Sequence, residues 1–117
     1  MTLDAEALAR LEALDPTGES QLLERVLNAF QSSIARLVPQ LDAARRSTDR
    51  AAIRLVAHTL KSSSASIGAL ALSRLCAQVE TAIRLDATGD LDADIDAMTE
   101  AIDTTLRAIE QLLAERR

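Results

Sequence analysis

Apolar residues recur every three or four positions along almost the whole chain, and this spacing restricts the possible folds more than any other feature of the sequence. It dictates amphipathic helices. Leu3, Ala7, Leu8, Leu11 and Leu14 make a first short stripe, which Asp15-Pro16-Thr17-Gly18 closes as a turn, so a helix is expected over about 3–14. From Glu19 to about Arg46 the pattern passes through Leu22, Leu23, Val26, Leu27, Phe30, Ile34, Leu37, Val38 and Leu41, with Pro39 expected to kink or split the helix. A third helix is expected from an N-cap at Ser47 or Thr48 to about Ser66, ended by Gly68. A fourth carries Leu70, Leu72, Leu75, Cys76, Val79 and Ile83 and ends near Gly89, and a fifth spans about Leu91 to Glu115. Three Gly and two Pro are too few to punctuate a sheet, and Val and Ile never cluster as strands. The expected fold is all-α: an antiparallel up-down four-helix bundle with a short additional N-terminal helix, in a single domain over 1–117.

Charge narrows the function. A net charge of -5 and a single aromatic residue, Phe30, argue against nucleic-acid binding, which calls for a basic stripe and stacking groups. The charge is nonetheless segregated: residues 42–61 hold Arg45, Arg46, Arg50, Arg54 and Lys61 against two acids, while residues 86–103 hold seven acids and no base. Cys76 is alone, so no disulfide can close within the chain, and a reducing, cytoplasmic setting is expected. No uncharged stretch is long enough to span a membrane, and the first residues do not read as a secretory signal.

The scarcest residues are the most informative. One histidine, His58, and one lysine, Lys61, stand three positions apart in the third helix. At about 100° per residue, with Ile53 at zero, the apolar Val56, Ala57, Leu60 and Ile67 fall within roughly 60° of it. His58 falls at ~140°, with Lys61 at ~80°, Arg54 at ~100°, Ala65 at ~120°, Ser62 at ~180° and Leu55 at ~200°. The imidazole is therefore expected on the solvent side. Ala51, Ser62, Ala65 and Ala69 keep the surface around it low, and Leu55 adds an apolar group, as a surface that receives another protein would.

A solitary histidine restricts the chemistry. A hydrolytic triad has no orienting acid nearby in sequence and no oxyanion loop, and a di-iron bundle would need two Glu-x-x-His pairs. The acids from Asp90 to Asp96 lack the glycine and terminal glutamate of a calcium loop and are better read as acids at a helix start. Phosphoryl acceptance remains, because neutral imidazole is a competent nucleophile near pH 7 and Lys61, expected to be exposed on the same face, could neutralise arriving phosphoryl oxygens. With no Gly-rich phosphate loop in the chain, the phosphoryl donor must be another protein.

The run Ala57-His58-Thr59-Leu60-Lys61-Ser62-Ser63-Ser64-Ala65-Ser66-Ile67-Gly68-Ala69, followed by Leu72, Cys76 and Glu80, closely resembles the histidine-containing phosphotransfer (HPt) domain. The resemblance implies a single HPt domain acting in a multistep two-component phosphorelay. His58 would accept a phosphoryl group from an aspartate of one response-regulator receiver domain and pass it to another, with Lys61 as the cation beside it. It implies a monomer with no bound cofactor and no metal of its own, the Mg²⁺ of transfer belonging to the receiver. Its partners would be receivers and a hybrid sensor histidine kinase, and no ATP-binding or autonomous kinase activity is expected. The related phosphoacceptor domain of chemotaxis-type histidine kinases and a non-catalytic helical interaction module are the alternatives.

Two positions sharpen that expectation. The family usually has Gly where this chain has Ser62, a substitution that leaves open a changed docking distance, a hydroxyl contact to phosphate, or simple helix stabilisation. If the third and fourth helices fold back about residues 67–69, His58 lies level with residues near 79–80. Glu80 or Gln78 could then accept from Nδ1–H and leave Nε2 as nucleophile, and the resemblance favours Glu80. Arg54, Leu55, Ser62 and Ala65 are the expected docking residues.

Overall fold

The computed structural model describes residues 2–86 and 89–116, and all of its regular structure is helical. Five helices follow in order: α1 (Ala5–Ala13), α2 (Leu22–Arg46), α3 (Arg50–Ser66), α4 (Leu70–Arg84) and α5 (Leu91–Glu115). Local chemistry sets their ends. Asp4 caps α1 by accepting from the Ala7 backbone N–H. The Asp15 carboxylate takes the N–H groups of Ser20 and Leu22, and Gln21 is left-handed at φ 50°, so α2 starts at Leu22 rather than at Glu19.

Three further expectations are corrected. Pro39 does not split α2, because both it and Ala35, whose carbonyl loses its partner, face solvent, where water can satisfy the freed group. The cap of α3 is Asp49, accepting from Ala52, and not Ser47 or Thr48. Ser47 instead donates to the carbonyls of Ala43 and Ala44 at the end of α2, and Thr48 makes the turn in a left-handed conformation at φ 54°. Helix α4 stops at Arg84, well before Gly89, because Asp86 turns the chain at φ 49°; residues 87 and 88 lie outside the described residues.

Turns of three residues join α2 to α3 and α3 to α4, which forces neighbours to run antiparallel. Side-chain pairs show the register. As numbers rise from Arg50 through His58 on α3, their partners fall from Asp86, just past the end of α4, to Glu80 within it. Likewise Glu24 and Arg45 of α2 meet Arg116 and Asp96 of the α5 arm. The four long helices thus close an antiparallel bundle, 50 × 23 × 19 Å with α1 included. Its core is Leu27, Phe30, Ile34 and Leu41 from α2, Ile53, Val56 and Leu60 from α3, Leu72, Cys76 and Val79 from α4, and Ile95, Met98, Ile102 and Ile109 from α5.

Helix α1 covers one end of this core. The Asp4 N–H donates to the Gly68 carbonyl at 2.8 Å, and Gly68 has φ 80° with no room for a side chain, since a Cβ would sit 2.7 Å from the Asp4 nitrogen. Close approach of α1 to the α3–α4 turn therefore requires glycine. Arg116 links α1 to α2 by pairing with Glu12 of the first and Glu24 of the second.

Candidate functional site

His58 sits near the middle of α3, and its side chain is 62% exposed. The helical wheel placed it correctly. Val56, Ala57 and Leu60 anchor the opposite face in the core, so the ring stands out where a partner can reach it. Across the hairpin on α4, Val79 is fully buried and holds the next residue, Glu80, at the α3–α4 seam, its side chain only 16% exposed. The Glu80 Oε2 lies 2.7 Å from His58 Nδ1, and its Oε1 accepts from Lys61 Nζ at 3.1 Å.

One carboxylate therefore bridges the only histidine and the only lysine of the sequence. The Lys61 hydrogen bond holds the Glu80 carboxyl below its usual range; partial burial opposes this, and the His58 hydrogen bond reinforces it. Glu80 is thus an ionised, acceptor-only group at neutral pH, which requires the proton of a neutral imidazole to sit on Nδ1. The lone pair is then on Nε2. Among the described residues Nε2 has no hydrogen-bond partner, so the ring offers a free nucleophilic nitrogen to solvent.

Lys61 itself departs from expectation. Its side chain is about two-thirds covered, because its position on the wheel, between the apolar stripe and His58, turns it towards α4 and into the Glu80 carboxylate. Of the small residues expected around His58, Ala51, Ser62 and Ala65 are exposed as anticipated, whereas Ala69 is buried at the start of α4. Arg54 is exposed and Leu55 is 65% exposed, so all four expected docking residues do face outward with His58. Ala51, Arg54, Leu55 and His58 line one shallow recess.

Two site features were not read from the sequence. Ser73 of α4 donates to the Lys61 carbonyl at 2.8 Å, a cross-hairpin bond that fixes the height of α4 against α3 and so of Glu80 against His58. The hairpin arithmetic that paired Glu80 with His58 could have suggested it. Ser64, between Lys61 and the turn, is fully buried with a hydroxyl that has no hydrogen-bond partner among the described residues. Nothing in a Ser-rich run marks which serine turns inward except its wheel position, at ~20°. Cys76 is also buried, and desolvation, with the Glu80 charge adding to it, pushes its thiol up to about 12, so it stays protonated. Among the described residues no group of three or more His, Cys, Asp or Glu is placed to hold a metal, and no helix is long and apolar enough to cross a membrane.

Residues 25–115, which include His58, Lys61 and Glu80, match the Hpt domain family. This chain belongs to the Hpt domain family. The matched segment runs from the first turns of α2 to the end of α5, so the Hpt match leaves out α1. Among solved structures, the Hpt chain is similar to the crystal structure of histidine-containing phosphotransfer protein B (HptB) from Pseudomonas aeruginosa PAO1, at 24% identity and a TM-score of 0.86. That match covers 99% of this chain and 97% of the other, so the bundle with its additional N-terminal helix is shared throughout. No curated protein matches the sequence.

Proposed function

We propose that this Hpt domain is a phosphorelay carrier, in which His58 Nε2 accepts a phosphoryl group from a receiver aspartate and returns it to the aspartate of another receiver. The observation that carries the reading is the Glu80 hydrogen bond to Nδ1 of an exposed imidazole, which leaves Nε2 as the nucleophile. In the step, Nε2 attacks phosphorus, the P–O bond of the aspartyl phosphate breaks, and the aspartate leaves as a carboxylate. As the ring gains positive character, Glu80 stabilises the Nδ1–H side of it without taking the proton, and Lys61 keeps Glu80 ionised. Lys61 acts through Glu80 in this resting arrangement.

Arg54, Leu55, Ser62 and Ala65 form the surface on which the receiver docks, which their exposure beside His58 supports. The Mg²⁺ for transfer would be held by the receiver. On this reading the chain works as a monomer in the cytoplasm, served by a hybrid sensor histidine kinase and receivers.

Incubation with a phosphorylated receiver is expected to place acid-labile phosphate on the unaltered chain and none on His58→Gln. Efficient exchange in both directions with receivers, and none from an ATP-loaded chemotaxis-type kinase domain, separates the carrier from that alternative. Equal labelling of His58→Gln would exclude His58 as the acceptor.

A further inference from the structure

The resting structure leaves the incoming phosphoryl group without its expected cation. Lys61 Nζ is engaged by Glu80 Oε1 at 3.1 Å, and both groups lie on the Nδ1 side of the ring, towards α4. Nε2 carries the phosphoryl group on the reading above. Side chains on a helix lean towards its N-terminus, so the ring of His58 overhangs the preceding turn rather than Ser62. The recess shared by His58 with Ala51, Arg54 and Leu55 is that overhang.

Within this recess the methyl of Ala51 and the aliphatic side chain of Leu55 offer phosphate nothing, and Arg54 alone is charged. Arg54 is one turn before His58, at the spacing whose Cβ atoms are about 5–6 Å apart. Among the described residues it makes no ion pair. Arg50, one turn further along, is held by Asp86 at 3.1 Å, and Arg84, one turn beyond Glu80 on α4, lies outside the recess. A guanidinium presents two parallel N–H groups that match phosphoryl oxygens, and it does so without abandoning a carboxylate.

We infer that Arg54 is the phosphoryl-binding residue of this site: its guanidinium grips the oxygens of the group carried on His58 Nε2, while Lys61 remains with Glu80 and positions the ring. This rests on His58 being the phosphoacceptor. It assigns the two cations different tasks, one on each side of the imidazole. Electrostatically, Arg54 favours the dianionic phosphoryl form, and a receiver must displace it to withdraw the group.

The test uses the intact protein labelled with phosphoramidate, whose P–N bond breaks with loss of ammonia as the Nε2–P bond forms, so no partner is needed. Phosphorus NMR then follows the second ionisation of the phosphoryl group in unaltered protein, Arg54→Gln, Arg54→Lys and Arg50→Gln. Arg54→Gln is expected to raise that pKa by about 0.5 unit or more, by loss of a nearby opposite charge. Arg54→Lys is expected to retain most of the original value, and Arg50→Gln to leave it unchanged. Circular dichroism confirms that each variant remains helical, which is expected because both arginines are exposed. A phosphoryl pKa that is the same in Arg54→Gln as in unaltered protein, or equal shifts in Arg54→Gln and Arg50→Gln, would overturn the assignment of Arg54 while leaving His58 as acceptor. Absence of any phosphohistidine in the unaltered chain would overturn both.

Discussion

Glu80 is the residue on which the site depends, since its carboxylate bonds both His58 and Lys61. Its folded-state pKa is lowered, chiefly by Lys61, so its ionised form contributes stability that is present above its unfolded value, about 4.3. That contribution is lost as pH falls through the lower folded value. Glu80→Gln keeps an acceptor for Nδ1–H but cannot titrate, so its denaturation midpoint is expected to fall less steeply than that of the unaltered protein below about pH 4. Parallel midpoint-versus-pH curves for the two proteins would refute the linkage. Ser64 is the opposite case, a buried hydroxyl for which no hydrogen-bond partner is found among the described residues. Ser64→Ala removes an unsatisfied group and favours the helix, and is expected to raise stability by about 1 kcal/mol in urea titrations. At this scale the sequence revealed which residues face outward, because the helical period alone sets direction. Lys61 departs from that reading because it pairs with Glu80 of α4, and Ala69 because it lies past the end of α3, where the period of that helix no longer applies.

Helix positions were legible to within a few residues, and the ends were not. Side chains that cap or turn the chain compete at each boundary, and several in a row qualify: Ser47, Thr48 and Asp49 are all good caps, yet only Asp49 reaches an N–H of α3. Pro39 shows the same limit from the other side, since what it costs depends on whether the orphaned carbonyl can meet water. The placement of α1 depends on its close contact with Gly68. Gly68→Ala combines left-handed strain with a 2.7 Å clash against the Asp4 nitrogen and is expected to cost more than about 1 kcal/mol. Gly18 shares the left-handed backbone at φ 74° but has open space around it, so Gly18→Ala carries the strain without the clash. Amide exchange in α1 is therefore expected to accelerate in Gly68→Ala and much less in Gly18→Ala; equal acceleration would show that backbone strain, not close approach, sets the requirement.

The whole molecule has one continuous core drawn from all four long helices, which is the basis for treating it as one folding unit. Leu60, fully buried in α3 directly behind the site, tests this. Leu60→Ala is expected to cost about 2–5 kcal/mol and to shift one transition, with circular dichroism and methyl NMR melting together. Separate transitions for the α3–α4 hairpin and the rest would show that the core is not shared. By itself the sequence determined the all-helical bundle and an exposed His58, because spacing fixes periodicity and periodicity fixes which side of a helix meets water. Only the tertiary structure decided that Lys61 is largely covered and that the Glu80 carboxylate, which the hairpin arithmetic had paired with His58, holds Lys61 as well. Those facts depend on the height and rotation of α4 against α3, set by the Ser73 bond to the Lys61 carbonyl and by packing in the core. A helical wheel carries no information about a second helix.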